Sequence, residues 1–364
     1  MKKYLVLTLF VTALTFLFSS QSASATEFGT GGGKTYIETL ADYDEDSTYI
    51  TCGGENVLVD LGKSAIDDLY SKSSFKNTHT INHFIITHKH NDHVSGLSKL
   101  ATKAKNEKRV VTINNLYVNG LDFKRNQPLH DNLESIFKSD WVLVKNVYVM
   151  GNLNNKSGTV ETKDLVNYLS DVVANKKNVY KRVSSMKYYY KYKEITEGIG
   201  SAGYKIKILP ALKNYPKGTL TTNKYENNHS MCVIYYDCND ARKFKIVLTG
   251  DIETAAIGGI ADDSTYSSYF KGDKYKDVYY KVPHHGKALS KVLVPGEKRY
   301  INEMKLLNVV KPTYVVGTNW ANRNSVNDTP NDARINFDFY DSFRSYYHEI
   351  EYPANRIFKL KSSF

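Results

Sequence analysis

The stretch Ile81-Asn82-His83-Phe84-Ile85-Ile86-Thr87-His88-Lys89-His90-Asn91-Asp92-His93 decides how the chain is read. The residues from Ile81 to Thr87 form an apolar run of strand length that ends abruptly in a polar, His-rich loop. In an extended segment, residues two apart project to the same side, so His88 and His90 can grip one ion. If the chain then turns into a helix, Asp92 and His93 fall in its first turn and reach a second ion beside the first. Two imidazoles for one ion, and a carboxylate with an imidazole for the other, suit borderline metals such as zinc, manganese or iron. Four potential ligands in six positions directly after an apolar strand are hard to account for as a solvated loop.

Working outward, Thr48–Thr51 and Asn56–Asp60 read as strands joined by a Gly53-Gly54 hairpin turn, followed by a short helix over Ser64–Lys72. Downstream, Val94–Lys105 has helical spacing, with Val94, Leu97 and Leu100 on one face. Strands at Val110–Val118 and Val142–Met150 continue the alternation, which marks an α/β chain. Gly151 to Gly203 breaks the pattern with a helix over Thr162–Ala174 and a Lys/Tyr-rich tract from Lys176 to Lys193. Strands return at Tyr204–Leu209, His229–Tyr236, Phe244–Thr249, Val278–Val282 and Tyr314–Val316. A helix over Asp332–Tyr346 and a strand around Arg356–Leu360 close the chain. The expectation is a single domain over 26–364 with an insertion at about 151–203.

The beginning of the chain reads as an export signal. Lys2 and Lys3 precede an almost wholly apolar run, Tyr4–Phe18, and Ala23-Ser24-Ala25 has the small-x-small pattern of a signal-peptidase site. The apolar run is short for a membrane span. A leader over 1–25, cleaved near Ala25, and a secreted mature chain without an integral membrane segment are therefore expected. The composition is ordinary except for 29 Tyr and a formal charge of +11, which becomes +9 once Lys2 and Lys3 leave with the leader. A basic surface concentrates polyanions, so an anionic substrate such as nucleic acid or a phosphodiester polymer is expected as partner, and no protein partner. Cys52, Cys232 and Cys238 are too few for a disulfide framework and have no metal-ligand spacing, which leaves nitrogen and oxygen donors for the metals.

Three later blocks complete the pattern: Asn227-Asn228-His229-Ser230, Thr249-Gly250-Asp251 and Lys281-Val282-Pro283-His284-His285-Gly286. In this order after H-x-H-x-D-H, they resemble the metallo-β-lactamase superfamily, whose fold is an αβ/βα sandwich, over about Thr35 to Leu360. Within it they are similar to the branch holding the hydrolase domain of DNA-uptake competence proteins and the secreted phosphorylcholine esterases. The resemblance implies two divalent metal ions, zinc first and manganese second, with Asp251 bridging them. His284 would complete the shell of the second ion, and His285 would be a substitute ligand or a contact to the substrate's phosphate. Adjacent side chains on extended backbone point to opposite sides, so the two would not bind the same ion. Many superfamily members place a third His for the first ion where His229 stands, 22 residues before Asp251. The branch resembled usually lacks it, so a ligand and a strand-start histidine both remain open readings. After Val316-Gly317-Thr318-Asn319 that branch usually carries Gly-His-Pro, whereas this chain continues Trp320-Ala321-Asn322-Arg323-Asn324.

The expected function is a secreted binuclear metal-dependent hydrolase, a phosphodiesterase acting on extracellular nucleic acid or on phosphodiester-linked cell-surface groups. Metal coordination lowers the pKa of bound water to supply the nucleophile, and Asp92 would orient it. Tyr180-Lys181-Arg182 and Lys187 to Lys193 interleave aromatics with cations, which can stack bases and track phosphates or can simply form a soluble surface hairpin. The alternatives are a β-lactam, lactone or thioester hydrolase, and a non-catalytic binding protein on the same scaffold.

Overall fold

The computed structural model describes residues 26–28, 35–40, 45–52, 54–121, 123–151, 160–174, 186–191, 195–199, 203–210, 227–237, 244–284, 298–317, 347–350 and 356–360. The leader, most of the Lys/Tyr-rich tract, the helix expected over Asp332–Tyr346, Cys238 and His285 lie outside them.

The first half runs β1 (Thr26–Phe28), β2 (Thr35–Thr39), β3 (Thr48–Cys52), β4 (Glu55–Val59), α1 (Ala65–Ser71), α2 (Ser73–Thr78), β5 (Thr80–Ile86), α3 (Asn91–Val94), α4 (Gly96–Glu107), β6 (Val111–Asn119), α5 (Pro128–Phe137), β7 (Val142–Met150), α6 (Val160–Ala174) and β8 (Lys187–Lys191). The second half runs β9 (Ile195–Ile199), β10 (Tyr204–Pro210), β11 (Met231–Asp237), β12 (Phe244–Leu248), α7 (Thr254–Asp262), α8 (Ser264–Phe270), β13 (Asp277–Lys281), α9 (Lys298–Val310), β14 (Tyr314–Gly317), β15 (Tyr347–Ile350) and β16 (Arg356–Leu360). Among the described residues no helix is long and apolar enough to cross a membrane.

The strands form two sheets, ordered β1 through β8 in sequence, and β15-β16-β14-β13-β12-β11-β10-β9. In the first, β1 to β4 are antiparallel and β4 to β8 are parallel. In the second, β9 to β12 are antiparallel, β12 to β14 parallel, and β14, β16 and β15 antiparallel. Three apolar cores separate the layers. Ile50, Val57 and Ile85 of the first sheet meet Ile208, Val233 and Ile246 of the second in the middle core. Phe84, Leu116 and Val147 pack outward against Leu97, Leu133 and Leu165 of the helices. Val247 and Tyr280 pack outward against Ile257, Phe270 and Leu306. Helix, sheet, sheet and helix make the αβ/βα sandwich of the metallo-β-lactamase fold. The stretch expected to be an insertion contributes α6, which buries Leu165, Leu169 and Val172, and one edge strand of each sheet, β8 and β9.

Two local features depart from simple patterning. The helix expected over Val94–Lys105 is split, because at Gly96 the chain presses onto the turn after β4. A Cβ there would lie 2.5 Å from Leu61 Cγ, and the Gly96 N–H donates to the Leu61 carbonyl at 2.8 Å. The outward-facing residues of three neighbouring strands also skip a beat at one level: Ile81 then Phe84, Ile113 then Leu116, Val144 then Val147. Asparagines occupy that fault. Asn115 Nδ2 donates to the Asn82 carbonyl, Asn146 Nδ2 donates to the Asn114 carbonyl, and the Asn56 and Asn82 N–H groups donate to each other's Oδ1. Amide side chains thus take over where backbone pairing is interrupted.

On the inner face, the ring of His83 stacks near Tyr117, which stacks on Tyr148, which stacks on Tyr189. His83 Nδ1 lies 3.0 Å from Tyr117 Oη. Burial pushes the His83 imidazole down to about 4, against a small upward pull from Glu55. The unfolded chain therefore binds more protons than the folded one between about pH 6.5 and 4, so this contribution is complete above that window and is lost as pH falls through it. Urea unfolding from pH 7 down to pH 4 should show a loss on the order of 3 kcal/mol from this group, and His83→Gln should flatten that part of the profile.

Candidate metal centre

The parallel strands of both sheets aim their C-terminal ends at one place. β4 delivers Asp60, β5 delivers Thr87 to His93, β12 delivers Asp251 and β13 delivers His284. Asp251 reaches its position through Gly250, which has φ +56; a Cβ on it would stand 2.8 Å from Ser230 Cβ and 3.1 Å from Thr87 Cβ. The Asp251 N–H donates to Ser230 Oγ at 3.1 Å, holding the turn. The first sheet's loop is stitched to the second by the Met231 N–H, which donates to the Thr87 carbonyl at 2.9 Å. Asn119 Nδ2 donates to that carbonyl and to the carbonyl of His229.

Asp251 stands at the centre. Its Oδ1 lies 3.2 Å from His93 Nε2, and its Oδ2 lies 3.7 Å from His88 Nε2 and 3.8 Å from His284 Nε2. Two groups of donors close enough to share an ion meet on it: His88, His90 and Asp251, and Asp92, His93 and Asp251, each with ligand atoms within 4.8 Å of one another. The pairing read from the early motif, with Asp251 common to both groups, is thus the arrangement in space. The imidazoles of His88 and His90 meet edge to face, and that of His93 lies beside His88. His88, His93 and Asp251 form a buried floor, while Asp92 and His284 are partly open to solvent.

His284 stands 3.8 Å from Asp251 but belongs to neither three-residue group, and the backbone there is left-handed, with φ +49. Among the described residues no metal-capable group includes the His229 imidazole, and the His229 carbonyl accepts from Asn119 Nδ2.

The hydrogen bonds around the floor fix which nitrogen of each histidine faces Asp251. Asp60 accepts from the Thr87 N–H at 2.7 Å and from Thr87 Oγ1 at 2.7 Å, and lies 2.8 Å from His93 Nδ1. With its proton given to Asp60, Thr87 Oγ1 can only accept from His88 Nδ1, 3.2 Å away. Both imidazoles then carry a proton on Nδ1 and turn Nε2 towards Asp251. On the other side, Glu253 Oε1 lies 3.3 Å from His284 Nδ1, and Asn227 Nδ2 donates to the same oxygen at 3.0 Å. Asn228 Oδ1 in turn accepts from the Glu253 and Ala256 N–H groups.

These residues fit divalent metal. His88 Nε2 is buried without a hydrogen-bond partner, an expensive arrangement unless an electrophile occupies its lone pair. Burial, reinforced by neighbouring His93, holds His88 well below the ordinary imidazole range, so it is neutral as a ligand must be. Burial opposes charge on His93 too, but Asp251 and Asp60 outweigh it and hold this imidazole well above the ordinary range. A metal ion entering against Asp251 would release that proton.

Asp60, Glu253, Asp46 and Lys281 were not singled out as site residues from the sequence. Asp60 carried one readable signal, an apolar strand ending in Asp, as Ile246-Val247-Leu248 leads to Asp251. Glu253 is two residues from Asp251, and its role depends on where β13 ends.

The family model that matches is described as anti-Pycsar protein Apyc1, over residues 26–154. That segment spans β1 to β7 and the H-x-H-x-D-H loop; it does not reach the later blocks, and the competence and phosphorylcholine-esterase branch expected from them is not shown. No curated protein matches the chain in sequence. Among solved structures, the short form of human tRNase Z is similar at 12% identity and TM-score 0.42, over 76% of this chain and 88% of that one. Unliganded yeast PDE1 is similar at 13% identity and TM-score 0.36, over 79% and 84%. The metallo-β-lactamase fold protein YhfI from Bacillus subtilis is similar at 10% identity and TM-score 0.36, over 68% and 70%.

Glu253→Ala should loosen His284 and weaken metal binding by about 10- to 100-fold, the usual effect of removing a carboxylate behind a ligating histidine. Competition against a fluorescent zinc chelator measures it, and an unchanged affinity would show that His284 is not held by Glu253. The chain is a metallo-β-lactamase-fold protein whose paired sheets close on a buried His/Asp cluster of the composition that holds two metal ions.

Proposed function

We propose that the protein is a binuclear metal-dependent phosphodiesterase acting on cyclic nucleotides. The observation that carries the hydrolase reading is the sharing of Asp251 by two donor groups, one on each side of it. The substrate class is supported by the match of residues 26–154 to the Apyc1 family, since Apyc1 degrades cyclic nucleotides.

His88, His90 and Asp251 would hold one ion, and Asp92, His93, Asp251 and His284 the other. When bound, the ions supply Lewis acidity towards a phosphoryl oxygen and a water of lowered pKa. The chain's own part is positioning. Asp60 and Glu253 keep Nε2 of three histidines aimed at the centre, so these atoms need no reorientation. Asp92, partly exposed at the first turn of α3, can accept a hydrogen bond from an attacking water and hold its direction. The buried floor excludes bulk water, leaving substrate to approach across Asp92 and His284. Hydrolysis forms one P–O bond from water, breaks one ester P–O bond and leaves a phosphomonoester, with the freed sugar oxygen taking a proton. His285, outside the described residues, is retained in this reading as a contact to the phosphate. His229 is retained as a candidate third ligand of the first ion.

A second reading, hydrolysis of nucleic acid, is favoured by the mature charge of +9 and by edge strand β8, where Lys187 and Tyr189 are exposed. The proposal includes export: the leader over 1–25 would be removed, and N-terminal sequencing of protein from culture medium should begin near Thr26.

The purified protein loaded with zinc or manganese should open cyclic mononucleotides and cleave bis-p-nitrophenyl phosphate, with both activities abolished by a chelator. Asp251→Ala and His88→Ala should each lower turnover by more than about 100-fold with an unchanged far-UV circular dichroism spectrum. Cleavage of DNA or RNA with none of cyclic nucleotides would replace the substrate class. Turnover of nitrocefin or a lactone with none of any phosphodiester would sink the phosphodiesterase reading.

A further inference from the structure

Behind His93, on the side away from Asp251, lies a second cluster of buried groups, two of whose members, Asp46 and Lys281, the proposed reaction does not use. Asp46, at the approach to β3, and Asp60, after β4, both face His93 Nδ1, at 4.0 Å and 2.8 Å. The two carboxylates and this imidazole are all buried, and their ligand atoms lie within 4.8 Å of one another, which is the make-up of a third cation site. Lys281 fills it. This lysine ends β13 in the opposite sheet, is buried, and sets its ammonium against Asp46 Oδ2.

The arrangement settles a competition. Two carboxylates face one imidazole N–H, and a carboxylate buried without a cation or donors is costly. With the ammonium on Asp46, the Nδ1 proton of His93 goes to Asp60, and Nε2 is left for the front. Without the ammonium, the three groups would offer a cation two oxygen donors and one nitrogen donor, with water free to fill the remaining position. His93, facing the front through Nε2, could then lose its Nδ1 proton to solvent and hold a third ion at the back through Nδ1 as well.

We infer that Lys281 is a resident cation that plugs a latent metal site formed by Asp46, Asp60 and His93, and thereby acts as a positioning residue for the front pair. The inference rests on the metal-binding reading of the front site. The same strand that supplies this ammonium continues through Val282 and Pro283 to His284, so β13 serves both sides of His93.

The test is metal stoichiometry, with Zn²⁺ alone as the probe. Wild type, Lys281→Met, Asp46→Asn and the Asp46→Asn/Lys281→Met double variant are each titrated calorimetrically and analysed by mass spectrometry after dialysis. Wild type should take two equivalents, Lys281→Met three, and the double variant two. Asp46→Asn, with the lysine kept, should also take two, because Asp46 holds an ammonium and not a metal. A folded Lys281→Met that takes only two equivalents overturns the inference, as does a third equivalent persisting in the double variant. Loss of an equivalent in Asp46→Asn overturns it as well. If Lys281→Met does not fold, the decision passes to Asp46→Asn and to nitrogen NMR of zinc-loaded wild type, with the His93 signals assigned by His93→Gln. A metal-bound Nε2 and a protonated Nδ1 are expected, and a metal-bound Nδ1 overturns the inference. Wild type that takes up no zinc at all would instead overturn the front-site reading.

Discussion

The centre depends on one buried carboxylate. Asp60 sits at the end of β4 in a left-handed conformation, with φ +58, and its N–H donates to the Ile85 carbonyl of the neighbouring strand. From there it takes the Thr87 N–H, the Thr87 hydroxyl and the His93 Nδ1–H, which offset part of the cost of burying its charge, although burial still holds its carboxyl above the ordinary range. These bonds also set the tautomers of two histidines, one directly and one through the Thr87 hydroxyl. An imidazole can serve a metal through either nitrogen, and where one already donates its proton, only the other remains. The direction of His88 and His93 is thus a consequence of strand adjacency between β4 and β5.

The second constraint is that the two sheets must meet without a gap at this point. Thr87 is the joint. Its carbonyl accepts from β11 and from Asn119, its hydroxyl serves Asp60, and its Cβ stands where a side chain at position 250 would have to go. Gly250 therefore lets the turn after β12 approach closely enough for Asp251 to lie between histidines of the other sheet. On the far side of His93 the sheets are tied again, by the ion pair of Asp46 and Lys281. Burial works against a charged Lys281, but Asp46 and Asp251 more than compensate, so its ammonium stays protonated. Carboxylates of both sheets thus face each other across histidines, a concentration of negative charge that calls for cations on both sides.

Function follows from what is buried and what is open. A floor of His88, His93 and Asp251 excludes water, and a rim that includes Asp92 and His284 stays accessible. Groups held rigidly beneath an open rim suit an electrostatic centre that stabilises charge developing on a substrate approaching from outside. Conversely, the Tyr117, Tyr148 and Tyr189 stack lies on the inner face of the first sheet and reaches its edge at β8, so part of the tyrosine excess serves the sandwich itself.

Read alone, the sequence determined what local chemistry can determine. The alternation of strands and helices, the apolar strand ending in His88, His90, Asp92 and His93, and the apolar strand before Asp251 are each written within a few residues. It could not show the asparagine-filled fault across β5, β6 and β7, because skipping a residue on one strand has meaning only beside its neighbours. Nor could it show Asp60, Glu253 or the pairing of Asp46 with Lys281. Those roles depend on distances between strands far apart in the chain, and a carboxylate carries no local mark of the proton it will accept. Sequence supplied the donors; only tertiary structure decided which atom of each faces the centre, because that choice is made by the hydrogen bond on the opposite side of the ring.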